Sequence, residues 1–497
     1  MIRRAILVLA IAVATGRADS QQTSTAARAT SVAQRAVDVP SNDELVVRII
    51  EEGTQRSHVE QDLSYLLDVI GPRLAGTPEM RRANEWTQQK FREYGTDRAD
   101  LESFAFGVGW TRGPMTLRML APQRREMIGV SWAWAPGTDG PLAGNVVYLD
   151  ARTRKEFDRR FAGKLRGAWV MIGAPWPLAN PDAPATHIDS VRLDSLRRLF
   201  AARNDDELHY QEVRGALLVQ EGIAGAIQAG GKDFGLLTMS GSPNAIVPYP
   251  MIVIGSEDYT QLERLAQRGE PTRIEADIKN SFTSRPIDQY NTVAEIRGTE
   301  KPDEVVLLGA HLDSWDLATG GTDNGTGAIA VLEAARILKA AGVQPKRTIR
   351  FVLFGGEEEG LIGSQAYTAA HEKELKKFQA VLVLDNGTGR ISGMALQGRE
   401  DLRDMWKEML KPATALDGLV VRPGNKTGTD HLAFLPFGVP SFNYDQLTRG
   451  YNHTHHSQID DYSHTVPGDV AQAATIMAIN AWQLAEMREF LPRGPKQ

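Results

Sequence analysis

Cysteine is absent from this chain of 497 residues. Its absence excludes disulfide bonds, thiol nucleophiles, iron–sulfur clusters, cysteine-bound zinc and a lipoprotein anchor. Any metal ion must therefore be held by histidine, aspartate and glutamate. The chain also has no long basic run, and its formal net charge is −6. We therefore expect no nucleic-acid partner.

Long apolar runs are missing too. A membrane-spanning helix needs about 20 apolar residues, and no run in this sequence is that long. Two arginines precede a short apolar run, Ala5 to Ala14, and Ala18 and Ser20 suit the −3 and −1 positions of a cleavage site. This pattern is typical of a secretory signal peptide. We predict a signal peptide over residues 1–20, a disordered lead-in over residues 21–40, and no membrane span after cleavage. The protein would then be periplasmic or extracellular.

From Asn291 onward, strand patterns alternate with helix patterns. VVLLGAHLD, TIRFVLF and QAVLVLDNG are apolar strands, and GTGAIAVLEAARILKAAG has helical spacing. This alternation predicts an α/β fold with a mostly parallel mixed sheet and helices on both faces. Ligands of such sheets bind at the carboxyl ends of the strands.

Polar residues follow each of these strands directly. They are His311 and Asp313, Glu357 and Glu358, and Asp385. A charged group beside a buried strand costs several kcal/mol unless something pairs with it. Helix capping accounts for a single aspartate, but not for a histidine or for two adjacent glutamates after a buried strand. We interpret these residues as one site at one edge of the sheet.

A metal centre fits this set of residues. Asp323 lies in a glycine-rich loop after the first strand, and five of the ten histidines lie between His431 and His464. The ligands would be His311, Asp323, Glu358, Asp385 and one late histidine. Three carboxylates and a bridging hydroxide would balance two divalent ions, with Asp323 as the bridging ligand. Mixed nitrogen and oxygen ligands favour zinc, with cobalt or manganese as substitutes.

The remaining polar residues have predicted roles around that centre. Glu357, beside a ligand but not itself one, is the candidate general base for a metal-bridging water. Asp313 would hold the imidazole of His311 in one tautomer. Asp430 and His431 fit either a substrate-side position or a loop cap.

The order H-x-D, D-N-G, E-E, D and H-S-x-x-D resembles the co-catalytic zinc aminopeptidases, over residues 44–492. The resemblance implies two zinc ions per chain, one bound by His311 and Asp385 and the other by Glu358 and a late histidine. His456 is chosen because Ser457 follows it and an acid, Asp460, comes four residues later. A cis peptide bond between Asp323 and Asn324 is also implied.

The resemblance implies the domain organisation as well. Residues 122–278, which have short strands broken by loops, resemble a β-rich protease-associated domain. It would be inserted into a discontinuous peptidase domain over residues 41–121 and 279–492.

An exported zinc-dependent metallo-exopeptidase acting on short peptides or dipeptides is thus expected. The alternative is a non-peptidase on the same fold, either glutaminyl cyclase-like or a non-catalytic binding ectodomain. Aminopeptidase, carboxypeptidase and dipeptidase specificity stay open, and a homodimer is compatible with the sequence.

Overall fold

The computed structural model describes residues 40, 42–174, 205–416 and 419–494. The predicted signal peptide and all but the last residue of the predicted lead-in lie outside them. All described residues fall in one compact unit. None of the helices in these ranges has the length and apolar character needed to cross a membrane.

Eight strands form the first sheet. In sheet order they are β1 (Arg98–Thr111), β10 (Ser281–Ile296), β12 (Arg347–Phe354), β11 (Lys301–His311), β13 (Phe378–Val383), β16 (Ser441–Gln446), β14 (Ile391–Ala395) and β15 (Val420–Arg422). Strands β12, β11, β13 and β16 are parallel, whereas β1, β10 and β14 pair antiparallel with their neighbours towards the centre. The predicted α/β class with a mixed sheet is confirmed.

Helices cover both faces of this sheet, and the central strands are largely buried for that reason. Alternate side chains of β11 point to opposite faces: Val306 and Leu308 join one core, while Val305 and Leu307 join another. The α-helices of the described residues are α1 (Asp43–Gln55), α2 (Val59–Ser64), α3 (Pro78–Glu93), α4 (Arg154–Arg160), α5 (Asp205–Glu221), α6 (Ser256–Gln267), α7 (Thr326–Ala340), α8 (Ile362–Ala370), α9 (Glu372–Leu375), α10 (Arg403–Leu410), α11 (Tyr451–Thr454) and α12 (Pro467–Glu486). Helices α1, α7 and α12 pack on the core that contains Val306 and Leu308, and α8 packs on the core that contains Val305 and Leu307.

The register of the central strands aligns their carboxyl ends. His311 pairs with Phe354 of β12, and Gly309 pairs with Val383 of β13. Asp385, two residues past Val383, therefore reaches the level of His311. The residues that follow the three strands meet at one edge of the sheet.

A second eight-stranded sheet lies between Met115 and Ile278. In sheet order its strands are β3 (Arg125–Glu126), β2 (Met115–Ala121), β9 (Arg273–Ile278), β5 (Leu142–Leu149), β6 (Trp169–Ile172), β7 (Gly225–Ala229), β8 (Met251–Ile254) and β4 (Gly129–Ser131). The sheet begins at Met115 rather than at residue 122. Helices α4 and α5 pack on one core and α6 on another, so helices accompany the strands in this part of the chain. The division into two domains stays a prediction.

An ion pair fastens α8 to the edge of the first sheet. His371 follows α8, and its Nε2 lies 2.8 Å from Oε2 of Glu102 on β1. Burial disfavours both charged forms, but their hydrogen bond outweighs it. The pKa of His371 is raised and the pKa of Glu102 is lowered.

We predict a pH-dependent loss of stability for His371→Gln. The pair stabilises the fold fully at pH values between the unfolded pKa values of glutamate and histidine, about 4.3 and 6.5. That contribution is lost as pH rises through the raised pKa of His371. The free energy of unfolding in urea should fall by roughly 1 kcal/mol near pH 5.5 and by less at pH 8.5.

His209→Gln is the matched control, because His209 pairs with Glu212 on an exposed face of α5. It should change the free energy of unfolding at neither pH. An equal loss at both pH values for His371→Gln would contradict the prediction.

Candidate active site

Five predicted ligands meet at the carboxyl edge of the first sheet. The Nε2 atom of His311 lies 3.4 Å from Oδ1 of Asp385 and 3.5 Å from Oδ1 of Asp323. The other oxygen of Asp323, Oδ2, lies 3.4 Å from Nε2 of His456, which is 2.9 Å from Oε2 of Glu358. Asp323 therefore stands between two groups of side chains and turns one oxygen to each.

The donor atoms of these side chains fit a metal ion. Nε2 of His311, Oδ2 of Asp323, Oε1 of Glu358 and Oδ1 of Asp385 are buried and have no hydrogen-bond partner. Buried carboxylates without donors are costly, and a cation among them would remove that cost. Imidazole nitrogen and carboxylate oxygen are ligands that zinc accepts. Asp323 belongs to two sets of three side chains close enough to hold an ion.

Two adjacent histidines approach Asp323, and the sequence pointed to only one of them. The Nε2 atom of His455 lies 3.7 Å from Oδ2 of Asp323, and its ring stacks on that of His456 at 3.8 Å. The side chain of His455 is 45% exposed, whereas that of His456 is 24% exposed and also contacts Glu358. The geometry therefore favours His456 as the partner of Glu358.

The backbone of His456 is strained and held from the second sheet. Its φ of +57° lies in the left-handed region, which costs a non-glycine residue energy. Two hydrogen bonds of opposite direction join it to Met239. The Nδ1 atom of His456 lies 3.1 Å from the carbonyl oxygen of Met239, and the N–H of Met239 donates to the carbonyl of His456 at 3.2 Å. Sequence reasoning missed Met239.

Asp460 positions the loop that carries Asp323. One carboxylate oxygen accepts from the backbone N–H and the hydroxyl of Thr322, both at 2.7 Å, and the other accepts from the N–H of Asp323 at 3.1 Å. Burial and the charge of Asp323 raise the pKa of Asp460 to about 7, against these hydrogen bonds. The Asp323–Asn324 peptide is cis, as the resemblance implies.

Asp313 holds His311 through its backbone rather than through its carboxylate. The Nδ1 atom of His311 donates to the carbonyl oxygen of Asp313 at 3.1 Å, whereas the carboxylate Oδ1 is 3.8 Å away. The other carboxylate oxygen accepts from the N–H of Glu358 at 3.1 Å. The carboxylate of Asp313 instead holds the glutamate loop. The tautomer is fixed all the same.

Arg73 fixes the loop between His311 and Asp323, and sequence reasoning did not single it out. Its guanidinium is fully buried and donates to the carbonyls of Leu312 at 2.7 Å, Thr319 at 2.6 Å and Gly320 at 2.9 Å. Burial lowers its pKa to about 10, which leaves the group charged at neutral pH. The sequence signal was an arginine, in GPRLAGT, directly after an apolar helix.

The remaining predicted residues lie beside this centre. Glu357 is half-buried, and burial with the charges of Asp385, Asp430 and Glu358 raises its pKa, against His311. Asp430 and His431 are fully buried at the start of a 3-10 helix, Asp430–Phe437, that has no side-chain cap. Neither carboxylate oxygen of Asp430 has a hydrogen-bond partner among the described residues, so Asp430 does not cap that helix. Its substrate-side role stays a prediction.

Part of the chain is similar to a known family. Residues 291–480 match the model of Peptidase family M28. This stretch of the chain is similar to the M28 peptidases. This confirms the resemblance on which the ligand order rests, and it supports the predicted metallopeptidase class.

Relatives match most of the chain. It is 27% identical to carboxypeptidase Q of Mus musculus over 453 residues, 90% of each protein. The crystal structure of a Peptidase M28 precursor from Shewanella amazonensis has a TM-score of 0.73 at 25% identity and covers 91% of this chain and 99% of that one. BSAP, a zinc aminopeptidase from Bacillus subtilis, has a TM-score of 0.61 at 22% identity over 87% of this chain and 95% of its own. The stretches NTVAEIRGTEKPDEVVLLGAHLDSWD and PKRTIRFVLFGGEEEG resemble carboxypeptidase Q, in agreement with the first comparison.

We predict that Asp460→Asn weakens zinc binding. The amide keeps one acceptor and turns its NH2 group towards the N–H of either Thr322 or Asp323, so the loop shifts. Loss of a group that orients a ligand typically lowers metal affinity by about 10–100-fold. Competition with a chromogenic chelator measures the dissociation constant.

Asp461→Asn is the neighbouring control, because that carboxylate accepts from the N–H of Ser463 and does not contact the site loop. It should leave zinc affinity unchanged. Wild-type affinity in both variants would mean that Asp460 does not position Asp323.

Proposed function

We propose that the protein is an exported zinc-dependent exopeptidase that hydrolyses short peptides or dipeptides. The observation that carries this proposal is the position of Asp323 between two groups of buried donor atoms without partners. The M28 match and the names of the relatives, a carboxypeptidase and a zinc aminopeptidase, support the chemistry. Export rests on the N-terminal sequence, and the N-terminal mass of the protein recovered from medium or periplasm tests it.

Two zinc ions would fit the two groups of donor atoms on either side of Asp323. His311 and Asp385 would hold one ion, Glu358 and His456 the other, and Asp323 both. Zinc there would supply Lewis acidity towards the peptide carbonyl and the attacking water. Every proposed ligand is present in the chain, which favours an enzyme over a non-catalytic relative.

Glu357 would move the proton. Its carboxylate lies outside the two donor groups, and the residue directly after it, Glu358, contacts His456. In the proposed reaction Glu357 takes a proton from water as the oxygen attacks the carbonyl carbon. It then gives that proton to the leaving nitrogen as the C–N bond breaks. The products are a carboxylic acid and an amine.

A substrate panel tests the function. Zinc-loaded protein should release free amino acids from unblocked dipeptides, as measured by amino-acid analysis. A chelator should abolish the release, and added zinc should restore it. Bound zinc without cleavage of any peptide in a panel of free, N-blocked and C-amidated dipeptides would overturn the proposal.

Two neighbouring substitutions should separate base from ligand. Glu357→Gln keeps the shape but cannot take the proton, so turnover should fall by about 10²–10⁴-fold while zinc per chain stays at the wild-type level. Glu358→Gln removes a ligand charge and should lower zinc content first. Metal analysis and dipeptide turnover are measured on both variants. If Glu357→Gln loses zinc and Glu358→Gln keeps it, the two assignments are reversed.

A further inference from the structure

A loop of the second sheet reaches the candidate site. It spans residues 232–239, between β7 and β8. Besides the contacts of Met239 with His456, the N–H of Leu237 donates to Oε1 of Gln458 at 2.8 Å, and Nε2 of Gln458 donates to the carbonyl of Gly235 at 3.0 Å. The loop therefore forms a wall beside the late histidine.

The loop is also fastened from its own side. Both carboxylate oxygens of Glu257 on α6 accept backbone N–H groups of the loop, that of Phe234 at 2.6 Å and that of Gly235 at 3.1 Å. Contacts on both sides fix the position of the residues that the loop presents. Lys232 at its start is one of these residues.

Lys232 places a cation next to the site. Its Nζ donates to the carbonyl oxygen of Asn452 in α11, the helix that leads into His455 and His456. Among the described residues, Lys232 forms no ion pair with a carboxylate. Burial lowers its pKa to about 8, while the charges of Asp323 and Asp460 raise it. The ammonium group is therefore mostly charged at neutral pH and lies within electrostatic range of the site.

Two neighbouring cations are already engaged. Arg73 lies beneath the site, and its donors are used by backbone carbonyls of the loop over residues 312–320. Arg112 forms a two-point ion pair with Asp316, at 2.8 and 2.9 Å. Lys232 differs from Arg73, which is fully buried, and from Arg112, which pairs with a carboxylate. It is half-buried, and it has no carboxylate partner among the described residues.

We propose that Lys232 binds the C-terminal carboxylate of the substrate and so selects peptides with a free C-terminus. This proposal rests on the proposed exopeptidase function. A site lined by carboxylates repels an anionic terminus, and a cation on the wall beside His456 offsets that repulsion. The α-carboxylate of a dipeptide lies one residue from the scissile bond, about 3.5 Å of extended chain, which keeps it near the donor atoms of the centre.

The test measures binding and turnover in parallel. Calorimetry on zinc-loaded Glu357→Gln protein compares a dipeptide with its C-terminal amide. Adding Lys232→Met should weaken binding of the dipeptide by roughly 10–100-fold, the worth of one charged hydrogen bond, and should leave binding of the amide unchanged. In the active protein, Lys232→Met should raise KM for the dipeptide by a similar factor. Lys232→Arg should restore most of the loss.

Lys164→Met is the matched control, because Lys164 is exposed on the same half of the chain and also donates to a carbonyl, that of Arg160 at 2.8 Å. It should change neither ligand's binding. Equal loss for dipeptide and amide, or no loss for either, would overturn the role of Lys232. If the wild-type protein cleaves no dipeptide, the proposed function fails, and the binding comparison still tests Lys232.

Discussion

Buried negative charge at one edge of a parallel sheet is the constraint on which the rest of this structure depends. The carboxylates of Asp323, Glu358 and Asp385 lie together around His311, with oxygens that no protein donor reaches. Cations in its midst would offset this charge, and rigid surroundings prevent the side chains from turning away. Arg73 and Asp460 provide this rigidity from opposite sides of the same loop, using backbone groups rather than the charged atoms themselves.

Most of the predicted ligands are residues whose position follows from local rules. Parallel strands end at a common edge, so His311, Glu358 and Asp385 could be brought together from strand patterns alone. The choice of His456 needed a family motif, because its loop comes from a distant part of the chain. The sequence suggested that Asp313 holds His311, but not that its backbone carbonyl makes the contact. Spacing shows that two residues are close, but not whether a backbone or a side-chain group makes the contact.

The missed residues share a physical reason. Met239 contacts His456 across 217 positions of sequence, and Arg73 contacts Gly320 across 247. Both contacts use backbone carbonyls, which every residue type offers, so no composition or motif marks them. The second sheet was read as β-rich because its strands are short and separated by loops. Its helices, α4, α5 and α6, nevertheless cover both faces, since a sheet with parallel strands needs cover on each side.

The clamp between Met239 and His456 has a consequence for how this protein can be divided. A histidine with a φ of +57° keeps that conformation only while its neighbours impose it. The neighbour here belongs to a segment that, by chain order, lies inside the second sheet. The candidate site therefore depends on a contact from the second sheet and is not formed by the first sheet alone. Exchange of the second sheet between related proteins would succeed only with a segment that presents a carbonyl and an N–H at the same place. The sequences of the two parts are therefore expected to change together in evolution.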